Sequence, residues 1–197
     1  MNSKGITCLR YIDDFLLLGQ NSQAVDSAFK VARKELNELS LDAYCPSAAP
    51  EKASRGPATK GIDFLGCTIT PGLVQPSRKT RSKFRERVRS DLEVSIRMMK
   101  AGAKGGITNS LGTYSGALQN LDRVILGWGK AFSFCHTSAQ WAHGIDNDIS
   151  EALKQFEREI SQLLNASDQV TQRRIRGVRL LSEVNSQQND EPLTTDL

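Results

Sequence analysis

The stretch that decides the fold is LRYIDDFLLLG, residues 9–19. Two apolar runs flank a pair of adjacent carboxylates, Asp13 and Asp14. Apolar runs that meet at a short polar turn are typical of a β-hairpin, and aspartate suits such a turn because it bonds nearby backbone and tolerates positive φ. We therefore predict strands over residues 5–12 and 15–19, forming a buried hairpin with both carboxylates at its tip.

The paired carboxylates have two interpretations. Charged groups resist burial without a partner, and Mg²⁺ takes oxygen ligands from one or two carboxylates together with substrate phosphates. Asp13 and Asp14 are therefore candidate magnesium ligands. The alternative is an ordinary solvent-exposed turn, which is the commoner setting of an Asp-Asp pair.

The positive charge of the chain is concentrated in two places. The 197 residues carry a net charge of +4, and that length suffices for one core or for two small subdomains. Residues 78–89 form a basic run with a single acid, and a second basic cluster comprises Arg173, Arg174, Arg176 and Arg179. Nucleic acid is the partner that such clusters favour.

The cysteines argue against a zinc site and for a reducing setting. Cys8, Cys45, Cys67 and Cys135 are far apart and form no C-x-x-C pair. Cys135 with His136 and His143 is too sparse a pattern for a metal site. We expect free thiols and a cytoplasmic protein, since no signal-length or membrane-spanning apolar run is present.

The first third of the chain alternates strands with one helix. Helical spacing predicts a helix from a cap at Asn21 or Ser22 to Leu39, followed by a short strand over Leu41–Cys45. Residues 46–60 are rich in proline and small residues and are predicted to be an irregular loop. Residues 61–70 and 73–74 flank Pro71-Gly72, which predicts a second hairpin.

The remainder has the 3.6-residue period of helices. A basic helix is predicted from Ser77 to a glycine-rich break at residues 101–106, with an apolar stripe of Phe84, Val88, Leu92, Ile96 and Met99. The next helix is expected to be capped by Thr108 or Asn109 and to end or bend at residues 127–129. A connector over residues 133–143 leads to the last clear helix, and residues 185–197 have a disordered composition. The fold class is therefore α+β with segregated elements.

Four segments resemble motifs of reverse transcriptases of the group II intron, retron and related bacterial type. They are YIDD at residues 11–14 for the metal-binding palm motif, the elements of residues 22–45 with PEK at 50–52 for the next palm motif, GIDFLG at 61–66 for the primer grip, and ILGWGKAF at 125–132 for the Gly-Trp segment of the thumb. This resemblance implies a partial palm at residues 1–76, a helical thumb at 77–165, and a basic helix or disordered tail at 166–197.

The resemblance also implies an incomplete catalytic centre. In this family a further metal-binding Asp and the fingers precede the YIDD hairpin, whereas no acid occurs before Tyr11 here. Two-metal phosphoryl transfer needs ions that clamp both the attacking and the leaving oxygens. We therefore expect no polymerase activity from this chain alone, and expect a second chain or an upstream segment to supply the fingers and the missing Asp.

Residue roles follow from the motifs. Asp13 is the expected ligand of a shared Mg²⁺, Asp14 a supporting ligand, and Lys52 a candidate general acid toward pyrophosphate, with a surface lysine as the alternative. Tyr11 is expected to contact nucleic acid. The primer grip would comprise Phe64, Leu65 and Gly66, although a plain core hairpin explains these residues equally well.

The basic helix is expected to follow the phosphates of an RNA template and DNA primer duplex, with a dNTP at the palm. Its expected contacts are Arg78, Arg81, Arg85 and Arg89 on one face, with Lys79, Lys83 and Arg87 beside them. The alternative is a solvated face. Arg173–Arg179 would add RNA contacts or form an unstructured tail, and Trp128 and Trp141 are expected in the core.

Two functions remain open. The first is a subunit of an RNA-directed DNA polymerase, with a defence or retron-like role favoured by the lack of an intron-endonuclease tail. The second is a non-catalytic RNA-binding or structural module in which the carboxylates are idle.

Overall fold

The computed structural model describes residues 5–105, 110–136 and 139–181. The described chain is α+β, with two small antiparallel sheets and five α-helices. It divides into two compact units, Met1–Ser77 and Arg78–Leu197. All strands belong to the first unit, and four of the five helices belong to the second.

The predicted first hairpin is confirmed. Strand β1 (Ile6–Tyr11) pairs with β2 (Asp14–Gly19) in antiparallel register, from Ile6 opposite Gly19 to Tyr11 opposite Asp14. Helix α1 (Ser22–Glu38) follows, and the Asn21 side chain caps it by accepting a hydrogen bond from the Ala24 amide at 2.8 Å. The helix packs on the hairpin, where the rings of Phe15 and Phe29 lie 6.3 Å apart.

The predicted strand over Leu41–Cys45 is wrong. Residues 41–45 have no ladder partner among the described residues, and Leu41 and Tyr44 are more than half exposed. The chain leaves α1 through Ser40, whose φ of 58° lies in the left-handed region. A strand needs a neighbour for its backbone groups, and the apolar pattern alone does not supply one.

The predicted second hairpin is a three-stranded meander. Strands β3 (Ile62–Phe64), β4 (Cys67–Thr70) and β5 (Leu73–Pro76) pair in sequence order. The turn at Pro71-Gly72 is confirmed, but the long strand predicted over residues 61–70 is interrupted by a second tight turn. Residues 46–60 form the irregular loop that was expected, with a short 3₁₀ turn over Ala58–Lys60.

The second unit is built on helix α2 (Arg78–Gly105). Its predicted apolar stripe is confirmed as part of the core, with Phe84, Val88, Leu92, Ile96 and Met99 all buried. The predicted break at residues 101–106 is wrong for the described part, because the helix continues through Gly102. Glycine in a helix costs only about 1 kcal/mol relative to alanine, and the core contacts of Met99 and Ala103 on either side offset it.

The two helices predicted after α2 are found as α3 (Tyr114–Ala131) and α4 (Ala139–Asn165). Thr113 caps α3, since its hydroxyl accepts from the Gly116 amide at 3.1 Å; the predicted caps Thr108 and Asn109 lie outside the described residues. Helix α3 continues through the glycines at 127 and 129 and ends at Ala131. Helix α4 begins at Ala139, so part of the predicted connector at 133–143 is helical.

The basic segment after Asn165 packs against the helical core. Helix α5 (Gln169–Arg176) is capped by Asp168, whose carboxylate accepts from the amides of Val170 and Thr171. Ile175 is fully buried within the core formed by α2, α3 and α4. The predicted disordered tail, residues 185–197, lies outside the described residues.

Two further observations concern the cysteines and the helices. None of the four cysteines forms a disulfide, and Cys67 and Cys135 are buried. Across the described ranges, none of the helices combines the length and the apolar character needed to cross a bilayer.

Burial of Ile175 predicts that α5 contributes to the stability of the helical unit. Ile175→Ala should lower the free energy of unfolding by about 2–4 kcal/mol, because it removes buried methyl groups and leaves a cavity. Urea unfolding followed by tryptophan fluorescence measures this, since both tryptophans lie in this unit. Val170→Ala is the control on the same helix; Val170 is 43% exposed and should cost less than about 1 kcal/mol. Equal losses would show that α5 is not part of the core.

Candidate functional site

The tip of the first hairpin is a two-residue turn. Tyr11 and Asp14 form the last pair of the ladder, so Ile12 and Asp13 alone connect the strands. The turn is held by the Arg10 guanidinium, whose Nε donates to the Ile12 carbonyl at 2.9 Å. Asp13 therefore sits at the apex, and Asp14 begins the return strand.

The backbone strain of this turn falls on Ile12. Its φ of 53° lies in the left-handed region, which a β-branched side chain rarely adopts. The sequence pattern had assigned the special conformation to the aspartates instead. A two-residue hairpin turn requires positive φ in one or both of its central residues, and a non-glycine residue held there costs about 1–3 kcal/mol.

The expectation that the hairpin tip is buried is wrong for this chain. Tyr11 is 58% and Ile12 72% exposed, and both aspartates are exposed. The described residues hold no group of three or more His, Cys, Asp or Glu side chains that could bind a metal ion. Asp13 and Asp14 still offer hard carboxylate oxygens, the ligand type that Mg²⁺ prefers, but only as part of a site.

The hairpin has one covered face and one uncovered face. Side chains alternate along a strand, so Phe15 and Leu17 share the α1 face with Ile6. The opposite face carries Leu9 and Tyr11 on β1, and Asp14, Leu16 and Leu18 on β2. Leu9 is 46% exposed. Because the sheet has two strands, both outer edges also lack a ladder partner within the described ranges. This uncovered face, together with its edges, is suited to another polypeptide segment.

Lys52 is engaged by a tyrosine. Its ammonium donates to the Tyr44 hydroxyl at 3.0 Å and lies 4.2 Å from the centre of the ring. Both residues are exposed. In the chain alone, the candidate general acid is thus part of a small surface cluster in the loop after α1.

The predicted primer-grip residues form the tight turn between β3 and β4. Leu65 and Gly66 both have positive φ, at 49° and 78°, which is the backbone of a two-residue hairpin turn and explains the glycine. Phe64 is half-buried, whereas Leu65 is 45% exposed. The turn therefore exposes the apolar side chain of Leu65 next to a glycine, whose carbonyl accepts from the Ser77 amide at 2.8 Å.

The basic run of α2 divides into two flanks around the buried stripe. Arg78, Arg81, Arg85 and Arg89 lie on one flank, and Arg85 forms an ion pair with Asp148 of α4. Arg81 and Arg85 are half-buried, while Arg78 and Arg89 are exposed. Lys79, Lys83 and Arg87 lie on the other flank and are exposed. The sequence pattern placed these cations on one helix face and directly beside it. The structure places them on two separate flanks of the buried stripe.

A groove of about 620 Å³ lies between α2 and α3. Its cations are Lys83 and Arg87 from α2 and Arg123 from α3, and its apolar wall is formed by Phe84, Trp128 and Phe132. The rings of Phe84 and Trp128 stack at 4.5 Å, which fixes the wall. The sequence had not identified Arg123 or its neighbour Asn120, because only the pairing of the two helices brings them to the basic run.

Cys45 is a second residue that the sequence did not single out. The Ser47 hydroxyl lies 3.1 Å from its sulfur, and this hydrogen bond is the main reason that the pKa of the Cys45 thiol is lowered. The side chain lies beside cations of α1, including Arg33. Because the thiolate is stabilised, we expect Cys45 to react faster with alkylating reagents at neutral pH than a thiol with an ordinary pKa does.

Strain at Ile12 predicts that relieving it stabilises the hairpin. Ile12→Asn should raise the local free energy of opening by about 1 kcal/mol, because asparagine adopts positive φ more easily and Ile12 loses little packing. Hydrogen exchange of the β1 and β2 amides measures the local opening. Leu9→Asn is the matched control at a regular strand position and should lower it. A loss of protection in Ile12→Asn comparable to that control would show that the turn is unstrained.

Comparison with protein-family models, with curated proteins and with solved structures finds no match to this chain. The resemblance to reverse transcriptases therefore rests on the motifs of the sequence. The function has to follow from those motifs together with the geometry of the hairpin, the two tight turns and the basic helix.

Proposed function

We propose that the chain is a subunit or fragment of an RNA-directed DNA polymerase, active together with a partner that supplies the fingers and the remaining palm Asp. The single observation that supports this most is the first hairpin, which presents two adjacent carboxylates on a two-residue turn. The neighbouring apolar face is uncovered. In this proposal residues 6–76 are part of the palm, and α2, α3 and α4 are the thumb.

The carboxylates fit the role of partial metal ligands. Magnesium ions bound there would stabilise charge on the reacting phosphate oxygens of an incoming dNTP and a primer end. Asp13, at the apex of the turn, would be the principal ligand, and Asp14 would support it from the first position of β2. Adjacent carboxylates on one turn point in different directions, so a further ligand has to come from elsewhere.

The uncovered face gives a physical reason for that partner. Leu9 and Tyr11 are exposed on the same face as Asp14, and an isolated two-stranded sheet is marginally stable. A strand added beside β2 would bring its own side chains next to Asp14, and an element packed on this face would bury Leu9 and Tyr11. The same partner could therefore supply both the missing packing and the missing carboxylate.

The remaining elements have roles in holding the primer and template. The β3–β4 turn would press Leu65 and the Gly66 backbone against the primer, as the family resemblance implies. Exposed cations of α2 such as Arg78 and Arg89 would contact phosphates without reading sequence. Lys52 holds Tyr44 in the chain alone, so a general-acid role requires this contact to break during assembly.

One observation favours the second function, a non-catalytic RNA-binding module. Both carboxylates are exposed, and the residues described include no third ligand near enough to form a metal site with them. In that case the uncovered face would serve only for assembly, and Asp13 and Asp14 would be ordinary turn residues.

Substitution of Asp13 separates the two functions. In an assembly with a chain that supplies the fingers and the palm Asp, Asp13→Asn should reduce Mg²⁺-dependent primer extension by at least about 100-fold, since one ligand of the shared metal is lost. RNA binding should stay within about twofold, because the basic helices are untouched. The measurement is extension of a labelled DNA primer on an RNA template, together with a binding titration.

The control is Asp42→Asn, which removes an exposed carboxylate from the loop after α1 and should leave extension unchanged. Unchanged extension in Asp13→Asn would support the RNA-binding module instead. Mg²⁺-dependent extension by the purified chain alone would contradict the need for a partner.

A further inference from the structure

The groove between α2 and α3 has the charge of a polyanion site. Lys83, Arg87 and Arg123 line it, and its lining includes no carboxylate. Arg87 is 3.6 Å from Asp91 on its own helix, a long contact of an exposed side chain. Among the described residues, no carboxylate pairs with Lys83 or Arg123. Lys83 and Arg123 therefore carry charge that is available to an external anion, although the Arg123 Nε donates to the Gln119 carbonyl at 3.3 Å. Arg87 shares its charge with Asp91 only through that long contact, whereas Arg85 is paired with Asp148 of another helix.

Gly127 gives the groove an open floor on the α3 side. It lies inside α3, where glycine is disfavoured, and apart from its chain neighbours and the adjacent backbone of α3, no described atom lies within 4 Å of the position that its Cβ would occupy. Packing within the described chain therefore does not require a glycine there. A glycine that lines a groove lets a ligand backbone approach closely. Gly129, two residues further, is equally open but does not line the groove.

The wall of the groove suits a ligand with both charged and apolar parts. Trp128 and Phe132 are half-buried, and their rings lie 4.8 Å apart at an interplanar angle of 43°. The amide of Asn120, which also lines the groove, can both donate and accept hydrogen bonds. Sugars and base faces pack on such aromatic surfaces while phosphates meet the cations.

We propose that this groove binds the sugar-phosphate backbone of a nucleic-acid strand, with phosphates on Lys83, Arg87 and Arg123 and the backbone passing over Gly127. This assignment deepens the proposed function and rests on it for the kind of polymer. It adds a nucleic-acid contact on the α3 flank of α2 to the phosphate contacts proposed for Arg78 and Arg89 on the other flank. The strand can belong to single-stranded RNA or to an RNA–DNA duplex.

The shape of the groove is tested by a matched pair of substitutions in the full chain. The probes are a labelled single-stranded RNA and an RNA–DNA hybrid of equal length. Gly127→Leu should weaken binding about tenfold, because the new side chain fills the path of the backbone and displaces charge-assisted contacts to phosphate. Gly129→Leu should stay within about twofold. Leucine favours helix more than glycine does, so both variants should keep or raise the melting temperature.

The charge of the groove is tested by a second pair. Arg123→Gln should weaken binding and should reduce the slope of log K against log salt concentration by about 0.7 for single strands, as expected for one lost phosphate contact. Arg158→Gln removes an exposed arginine from α4 and should leave the slope unchanged. If Gly127→Leu does not fold, this second pair decides the question.

The outcomes separate three ligands. Stronger binding of the single strand than of the hybrid assigns the groove to single-stranded RNA, and the reverse assigns it to the duplex; both support the proposal if Gly127→Leu and Arg123→Gln weaken that binding. The proposal is overturned if Gly127→Leu binds as tightly as Gly129→Leu and Arg123→Gln binds as tightly as Arg158→Gln. Displacement of RNA by poly-L-glutamate at equal charge concentration also overturns it, since the groove would then accept any polyanion, including an acidic protein. Because the assay needs neither synthesis nor a partner, its result is independent of the Asp13 experiment.

Discussion

The first hairpin has two faces, and one helix can cover only one of them. Packing of Phe15 against Phe29 on the α1 face stabilises a two-stranded sheet that would be marginal in isolation. The other face keeps Leu9 and Tyr11 exposed. The ladder register from Ile6 to Tyr11 fixes the turn at the end of this half-covered element, so the positions of both carboxylates depend on it. The hairpin is thus covered by α1 on one face and exposed on the other.

A similar constraint governs α2. A helix that buries one stripe must place the remaining side chains of a dense basic run on both sides of that stripe. The flank that meets α4 has Arg85 paired with Asp148, which lowers its capacity to bind phosphate. On the flank that meets α3, Arg123 of α3 adds a further positive charge. Among the described residues, no cation of α2 forms an ion pair with α3. The neighbouring helices, and not the run itself, therefore determine which cations can serve a ligand.

The sequence predicts those features that depend on local periodicity. The hairpin of residues 6–19 and the stripe from Phe84 to Met99 follow from alternation and helical spacing, and both are found. The strand over Leu41–Cys45 failed because pairing needs a neighbour that no local pattern reveals. The groove could not be predicted, since Arg123 lies far along the chain from Lys83 and the two residues approach each other only when α2 and α3 pack in the core, where Phe84 stacks on Trp128.

The exposed face and the strained turn of the first hairpin lie side by side. Ile12 is held at positive φ although asparagine or glycine would relieve the strain, and its side chain is largely exposed, so burial within the chain does not compensate. A partner that covers the face of Leu9 and Tyr11 would also meet Ile12 and Asp14. In either proposed function, the contact that buries the apolar face would then also hold the strained turn, so that the packing and the backbone conformation of the hairpin tip depend on the same surface.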